Sequence, residues 1–172
     1  MDHKTETFLA LIDDNKKLIY KIVNAYCKNR ALHQDLVQEI ILQLWSSFDK
    51  YDSNYKASTW MYRIALNTAI SYHRKGLNQP TSFSDFLQQH EDRLIWEARS
   101  ELDPNLQLLN QFIQELKEMD KALILLHLDG LQHQEIAGIL GISPTNVGTR
   151  LFRIKNSLRI KFQSTPKSKT ND

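Results

Sequence analysis

The sequence predicts an all-α fold of two small helical domains joined by a linker. Three observations carry this. Gly and Pro are scarce, 5 and 4 in 172 residues, and apolar residues recur at helical spacing over long segments with few β-branched runs. The third is charge: residues 1–76 hold eleven basic and eight acidic residues, 77–104 two and six, and 105–172 nine and six. Two basic blocks separated by an acidic stretch fit two nucleic-acid-facing modules and a connector, although the whole chain is near neutral at +2.

The first segment, about Thr5 to Asn29, carries Phe8, Leu11, Ile12, Leu18, Ile19, Ile22, Val23 and Tyr26. This spacing predicts one long amphipathic helix, or two short ones broken near Asp13 and Asp14. A second helix is expected from about His33 to Phe48. Its Leu36, Val37, Ile40, Ile41, Leu44 and Trp45 give more apolar surface than one core-facing stripe needs, which leaves some for a partner. The polar loop DKYDSNYK, Asp49 to Lys56, contains turn formers and two tyrosines beside lysines. Such tyrosines can anchor a loop or stack on unpaired bases. A third helix, about Ala57 to Lys75, has Trp60, Ile64, Ala65, Thr68, Ala69 and Tyr72 as its expected inner side. Arg63, Asn67, Ser71 and Arg74 line a polar face.

After Gly76 the turn formers of LNQPTSFSDF mark a boundary. The acidic segment that follows is expected to be a linker with local order, including a short helix around Phe86 to Ser100 with Leu94, Ile95 and Trp96. Asp103 then caps a helix with Pro104 in its first position. Leu106, Leu109, Phe112, Ile113 and Leu116 make that helix amphipathic. Another, about Asp120 to Leu128, ends at Asp129 and Gly130. These two form the apolar platform that a lone hairpin would lack.

The final hairpin, Leu131 to Leu158, is the most informative stretch. Ile136, Leu140 and Ile142 supply contacts between its two helices, and Ala137 lets the backbones approach. Gly141 suits a left-handed C-terminal cap. Ser143 caps the second helix and Pro144 opens it. Val147, Leu151, Ile154 and Leu158 fall at steps of four, three and four, giving one buried stripe and leaving Thr145, Gly148, Thr149, Phe152 and Arg153 outward. From Ile136 to Asn171 the chain has Arg150, Arg153, Lys155, Arg159, Lys161, Lys167 and Lys169 but no acid. A basic helix at the end of such a turn is the arrangement that enters a DNA major groove, its cations neutralising phosphates. An outward Phe152 suits a thymine methyl.

Other classes find little support. Cys27 stands alone, so no disulfide framework or zinc cluster is expected, and core filling is its predicted use. His3, His33, His73, His90, His127 and His133 lack metal-ligand spacing, and no glycine-rich phosphate loop or G-x-S-x-G turn occurs. No enzyme activity, metal or cofactor is therefore expected. The first residues, MDHKTETFLALIDD, lack signal-peptide character, and no window has the length of a membrane span, so a soluble intracellular protein is expected.

Two blocks now bear comparison with a family. DLVQEIILQLWSSFDKYD with STWMYRIALNTAISYHRK resembles region 2, and LHLDGLQHQEIAGILGISPTNVGTRLFRIKNSLR resembles region 4, of the extracytoplasmic-function sigma factors. These are small specificity subunits of bacterial RNA polymerase. The resemblance covers nearly the whole chain, and the order of the two blocks is its specific part. It implies a domain at 1–76 for core polymerase and the −10 element, a linker at 77–103, a domain at 104–162 for the −35 element, and a basic tail at 163–172. It implies that Asp35, Gln38, Glu39, Leu44 and Trp45 dock on the β′ clamp helices. Lys50, Tyr51, Asn54, Tyr55 and Lys56 would capture a flipped non-template base, with Arg63, Asn67 and Arg74 on the −10 helix. Pro144, Thr145, Asn146, Thr149, Arg150, Phe152 and Arg153 would bind the −35 element, the arginines chiefly through phosphates. The β flap, promoter DNA and an anti-sigma factor are the further partners implied, in the cytoplasm or held at the inner membrane by that anti-sigma factor. Gly148 departs from the long polar or basic side chain often found there, which leaves the −35 preference open. The competing reading is a stand-alone helix-turn-helix regulator with a sensing or dimerising N-terminal domain.

Overall fold

Apolar residues spaced every three or four positions drive each segment into a helix, because only one face then has to leave water. A computed structural model describes residues 3–27, 29–76 and 103–165. Among them are seven α-helices and no strand. The chain divides into two units, Met1–Glu101 and Leu102–Asp172. The expected linker helix around Phe86 to Ser100 and the tail from residue 166 lie outside the described residues.

In the first unit, α1 (His3–Tyr26), α2 (His33–Ser47) and α3 (Ala57–Gly76) pack on one another. Short 3-10 turns, Arg30–Leu32 and Phe48–Lys50, flank α2. Helix α1 runs unbroken through Asp13 and Asp14, where the sequence allowed a break. Both acids are exposed, so they carry no desolvation cost, and Lys16 pairs with Asp13 at 2.8 Å. Ile19, Ile22, Val23, Leu36, Ile40, Leu44, Met61 and Leu66 form the centre of the core. Cys27 belongs to this core as expected, and burial pushes its thiol pKa up.

The inner side of α3 differs from the expected one. Met61, Tyr62, Ala65, Leu66 and Ala69 are buried, whereas Trp60, Ile64, Thr68 and Tyr72 are only half-buried. The buried stripe is rotated by about one residue, because α1 and α2 straddle α3 and select the face between them. Periodicity gave the helix but could not choose among adjacent apolar rows.

The second unit contains α4 (Pro104–Gln114), α5 (Glu118–Leu128), α6 (His133–Leu140) and α7 (Pro144–Ser164). Asp103 caps α4 by accepting from the Asn105 amide at 2.7 Å, with Pro104 behind it. Gly130, at φ 79°, turns the chain out of α5. Leu123, Leu126, Ile136, Val147 and Leu151 lie at the centre of this core. Phe112 meets Phe162 edge to face, tying α4 to the end of α7, and Lys161 pairs with Glu115 there. Among the described residues no helix is long and apolar enough to cross a membrane.

Candidate nucleic-acid interface

The hairpin of α6 and α7 is fixed by local chemistry at each end. Glu135 accepts from the Gln132 amide at 2.8 Å as half of a capping box that the sequence reading had not identified. The usual Ser or Thr is replaced by Gln, which hides the motif. Gly141 takes the left-handed conformation at φ 69°, and its amide and that of Ile142 both return to the Ala137 carbonyl. Ser143 Oγ accepts from the Asn146 amide at 3.2 Å, with Pro144 at the first helical position. The Gly141 cap that ends α6 and the Ser143–Pro144 start of α7 fall where the sequence predicts. On α6 the buried residues are Ile136, Ala137 and Ile139, and Leu140 and Ile142 are half-buried.

Helix α7 buries Val147, Leu151, Ile154 and Leu158. Pro144, Thr145, Asn146, Thr149, Phe152 and Arg153 are exposed. Phe152 keeps 67 % of its surface exposed, a large apolar ring presented to solvent. Thr149 Oγ1 donates to the Thr145 carbonyl at 3.0 Å, so its methyl and oxygen lone pairs are what it offers outward.

Arg150 is placed differently from its exposed neighbours. Its Nε and Nη2 both donate to Asp120 Oδ1, at 3.1 and 2.7 Å. The pair borders a cleft of about 430 Å³ between α7 and the turn joining α4 to α5. On the opposite flank the His133 ring lies against Gly148. His127 nearby has its pKa lowered, first by desolvation and then by Lys155 and His133.

Gly148 has a helical backbone without positive φ, and a Cβ built there would stand 3.6 Å from the His133 ring, an ordinary contact. Gly148→Ala is therefore expected to stabilise the protein by about 0.5–1 kcal/mol, through lower unfolded-state entropy. Urea unfolding would show a higher midpoint at unchanged slope. A lower midpoint would mean that His133 cannot yield even that little.

In the first unit, Asp35, Gln38, Leu42 and Trp45 are exposed and Glu39 is half-buried. They occur at steps of three, one, three and three, and so share the outward face of α2. Leu42 is 58 % exposed in the middle of this face and was not singled out by sequence. Its signal was its position seven residues after Asp35. Leu44, expected at the docking surface, is instead fully buried at 0 %. The correction has a simple cause: Leu36, Ile40 and Leu44 repeat every four residues and make the stripe that faces α1 and α3. Trp45 is braced from behind, its ring 4.9 Å from Phe8 and its face 5.0 Å from Lys4 Nζ.

The loop after α2 is built rather than slack. Asp52 Oδ1 accepts from the Asn54 amide at 2.9 Å and from its side chain at 2.8 Å, and the Tyr55 amide returns to the Asp52 carbonyl. Tyr51 turns inward, 4.9 Å from the Trp60 ring and 6.2 Å from Phe48, and its hydroxyl donates to the Tyr55 carbonyl at 3.1 Å. Tyr55 turns outward and is 71 % exposed. Lys50, Asn54, Lys56, Arg63, Asn67 and Arg74 are also exposed. The first unit thus presents a braced loop with one free aromatic face, followed by a helix carrying two arginines and an asparagine on its outer side.

Family comparisons match both units. Residues 11–78 match the model for Sigma-70 region 2, and residues 106–158 match that for Sigma-70, region 4. The ECF RNA polymerase sigma factor SigW of Bacillus subtilis is 30% identical over 166 residues, 90% of this chain and 88% of that protein. The ECF RNA polymerase sigma-E factor of Escherichia coli K12 is 27% identical over 139 residues, 75% of this chain and 73% of its own length. Two solved structures share the fold. One is CnrH in complex with the cytosolic domain of CnrY, with a TM-score of 0.68 and 18% identity, covering 94% of this chain and 91% of that one. The other is the sigma factor RpoE with the anti-sigma factor NepR from Bartonella quintana, with a TM-score of 0.65 and 15% identity, covering 94% and 98%. With both region models matched in order along one chain, and a relative at this identity over nearly its full length, the chain belongs to the ECF family of sigma-70 RNA polymerase sigma factors.

Proposed function

We propose that this protein joins core RNA polymerase, recognises a promoter with −10 and −35 elements, and helps to open it. The observation that carries the reading is the pairing, in one chain, of a braced aromatic loop beside an apolar-acidic helix face with a capped basic recognition helix. In this reading residues 1–76 serve the polymerase and the −10 element, 77–103 connect, and the domain from 104 serves the −35 element and the β flap; it extends past the expected end at 162, because α7 continues to Ser164, and the basic tail follows that helix. The catalytic chemistry of RNA synthesis belongs to the polymerase, and the protein works in the cytoplasm, where polymerase and DNA meet.

The face of Asp35, Gln38, Glu39, Leu42 and Trp45 is the docking surface for the β′ clamp helices. A flipped base costs a few kcal/mol to extract, and a protein platform offsets this by stacking and edge contacts. Tyr55 offers the platform, Tyr51 braces it, and Lys50, Asn54 and Lys56 surround it. Arg63, Asn67 and Arg74 follow the −10 strand along α3. On closed duplex, α7 reads the −35 element with Pro144, Thr145, Asn146, Thr149 and Phe152, while Arg150 and Arg153 set register on phosphates. The complex of RpoE with the anti-sigma factor NepR supports an anti-sigma factor as the restraint on this chain too; that it acts at the inner membrane is our reading alone.

Two substitutions test the −35 assignment. Phe152→Ala is expected to relax preference at one −35 position, at about 1–3 kcal/mol of discrimination. Arg153→Ala should weaken all promoters and lower the salt dependence. Run-off transcription with reconstituted holoenzyme on a promoter panel separates the two. Equal, sequence-independent losses would remove Phe152 from the reading set, and failure of the wild-type chain to bind core would favour a stand-alone regulator.

A further inference from the structure

Along one flank of α7, Asn146, Arg150, Arg153 and Ser157 follow steps of four, three and four, parallel to the buried stripe and one residue before it. All four border the cleft, whose other wall includes Leu116 and Asp120. We infer that Asp120 is a positioning residue for promoter binding: it clamps Arg150 so that the guanidinium and its flank neighbours form a ready-made seat for one DNA backbone phosphate. The inference rests on the −35 reading of α7 and adds to it a residue from outside the hairpin.

The geometry distinguishes clamping from simple neutralisation. A guanidinium has five N–H groups in one plane. Asp120 Oδ1 takes one from Nε and one from Nη2, 30 residues away in sequence, which fixes the plane and leaves three donors for a ligand. The side chains of Arg150 and Asp120 retain 33% and 27% of their exposure, so the pair lies at the rim of the cleft rather than within the core. An ion pair at that depth adds little to stability. It does remove the rotamer freedom that a long side chain otherwise loses when it grips a phosphate. Arginine's planar fork matches phosphate oxygens, which makes this the ligand the flank fits.

The two roles predict opposite signs. A carboxylate that only cancelled Arg150 would repel DNA, and its removal would tighten binding. A carboxylate that positions Arg150 would be missed by promoter DNA despite the loss of negative charge. The test uses reconstituted holoenzyme with two duplex probes, one spanning a −35 element located from transcript start sites and one of scrambled sequence, over a range of salt. Asp120→Ala is expected to weaken promoter-duplex binding about five- to tenfold, with little change on the scrambled duplex. Arg150→Ala should match that loss and flatten the salt slope by about one. The double variant should be no worse than Arg150→Ala, because the residues act as a unit.

Unchanged or tighter promoter binding by Asp120→Ala, or additive losses in the double variant, overturns the inference. Should Asp120→Ala unfold at the assay temperature, Asp120→Leu, of similar volume but without an acceptor for Arg150, replaces it and must still lose promoter affinity. Arg153→Ala separates the inference from the reading beneath it. If Arg153→Ala and Phe152→Ala leave promoter affinity intact, the −35 assignment itself fails. If they weaken it while Asp120→Ala does not, only the positioning role is lost.

Discussion

With arginine at both Asp35 and Glu39, the protein is expected to lose core polymerase altogether. Both residues lie on the outward face of α2, Asp35 exposed and Glu39 half-buried with Gln43 donating to it at 3.0 Å. Neither belongs to the core, so the three-helix unit should still fold. The double reversal changes the local charge by four and puts two cations where the proposed docking face presents acids. Like charges set against one another at an interface cost several kcal/mol, on the order of a hundredfold or more in affinity. Affinity-tagged protein should then fail to recover the β and β′ subunits from lysate, while its helical circular dichroism is unchanged. Wild-type recovery would sink the docking assignment. Leu42 sharpens the test: Leu42→Asp alters an exposed side chain in the same face, whereas Leu44→Ala removes a buried one. Truncating Leu44 should cost about 2–5 kcal/mol of stability. The first variant should fail in docking while folded, and the second should unfold before docking is affected.

Tyr55→Ala is expected to slow promoter opening by about five- to 150-fold, the equivalent of about 1–3 kcal/mol for one stacked base. The number follows from one exposed ring losing its partner, because Tyr55 contributes little to the fold. Tyr51 is the contrast. It packs against Trp60 and Phe48 and donates to the Tyr55 carbonyl, so Tyr51→Ala should loosen the loop as well as its stacking. A template already unpaired over the −10 element relieves the cost of extracting the base but keeps the value of stacking on it. Open-complex formation by Tyr55→Ala should therefore be slow on duplex and partly restored on the unpaired template. Equal rates for wild type and Tyr55→Ala on duplex would remove Tyr55 from the capture loop.

Capping residues were the most legible part of this chain. Ser143, Pro144, Gly141, Asp103 and Pro104 each act on backbone groups within a few residues, so their roles follow from adjacency alone. The buried stripe of α7 was equally legible, since Val147, Leu151, Ile154 and Leu158 stand out against polar neighbours. The cap of α6 was missed because Gln132 is an unusual residue to begin a capping box.

What sequence by itself determined is thus most of the helices among the described residues, most of their ends, and the apolar face of any helix with only one apolar row. The tertiary structure decided the rest, for a physical reason: where a helix has more apolar residues than one face holds, only its neighbours select the face. In α2 they took Leu44 inside and left Leu42 out, and in α3 they rotated the buried stripe toward Met61 and Leu66. In the loop, Phe48 and Trp60 drew in Tyr51 and left Tyr55 to solvent. The clamp of Asp120 on Arg150 is the extreme case, since no local rule relates two residues 30 positions apart. Only the packing of α5 against α7 brings them together.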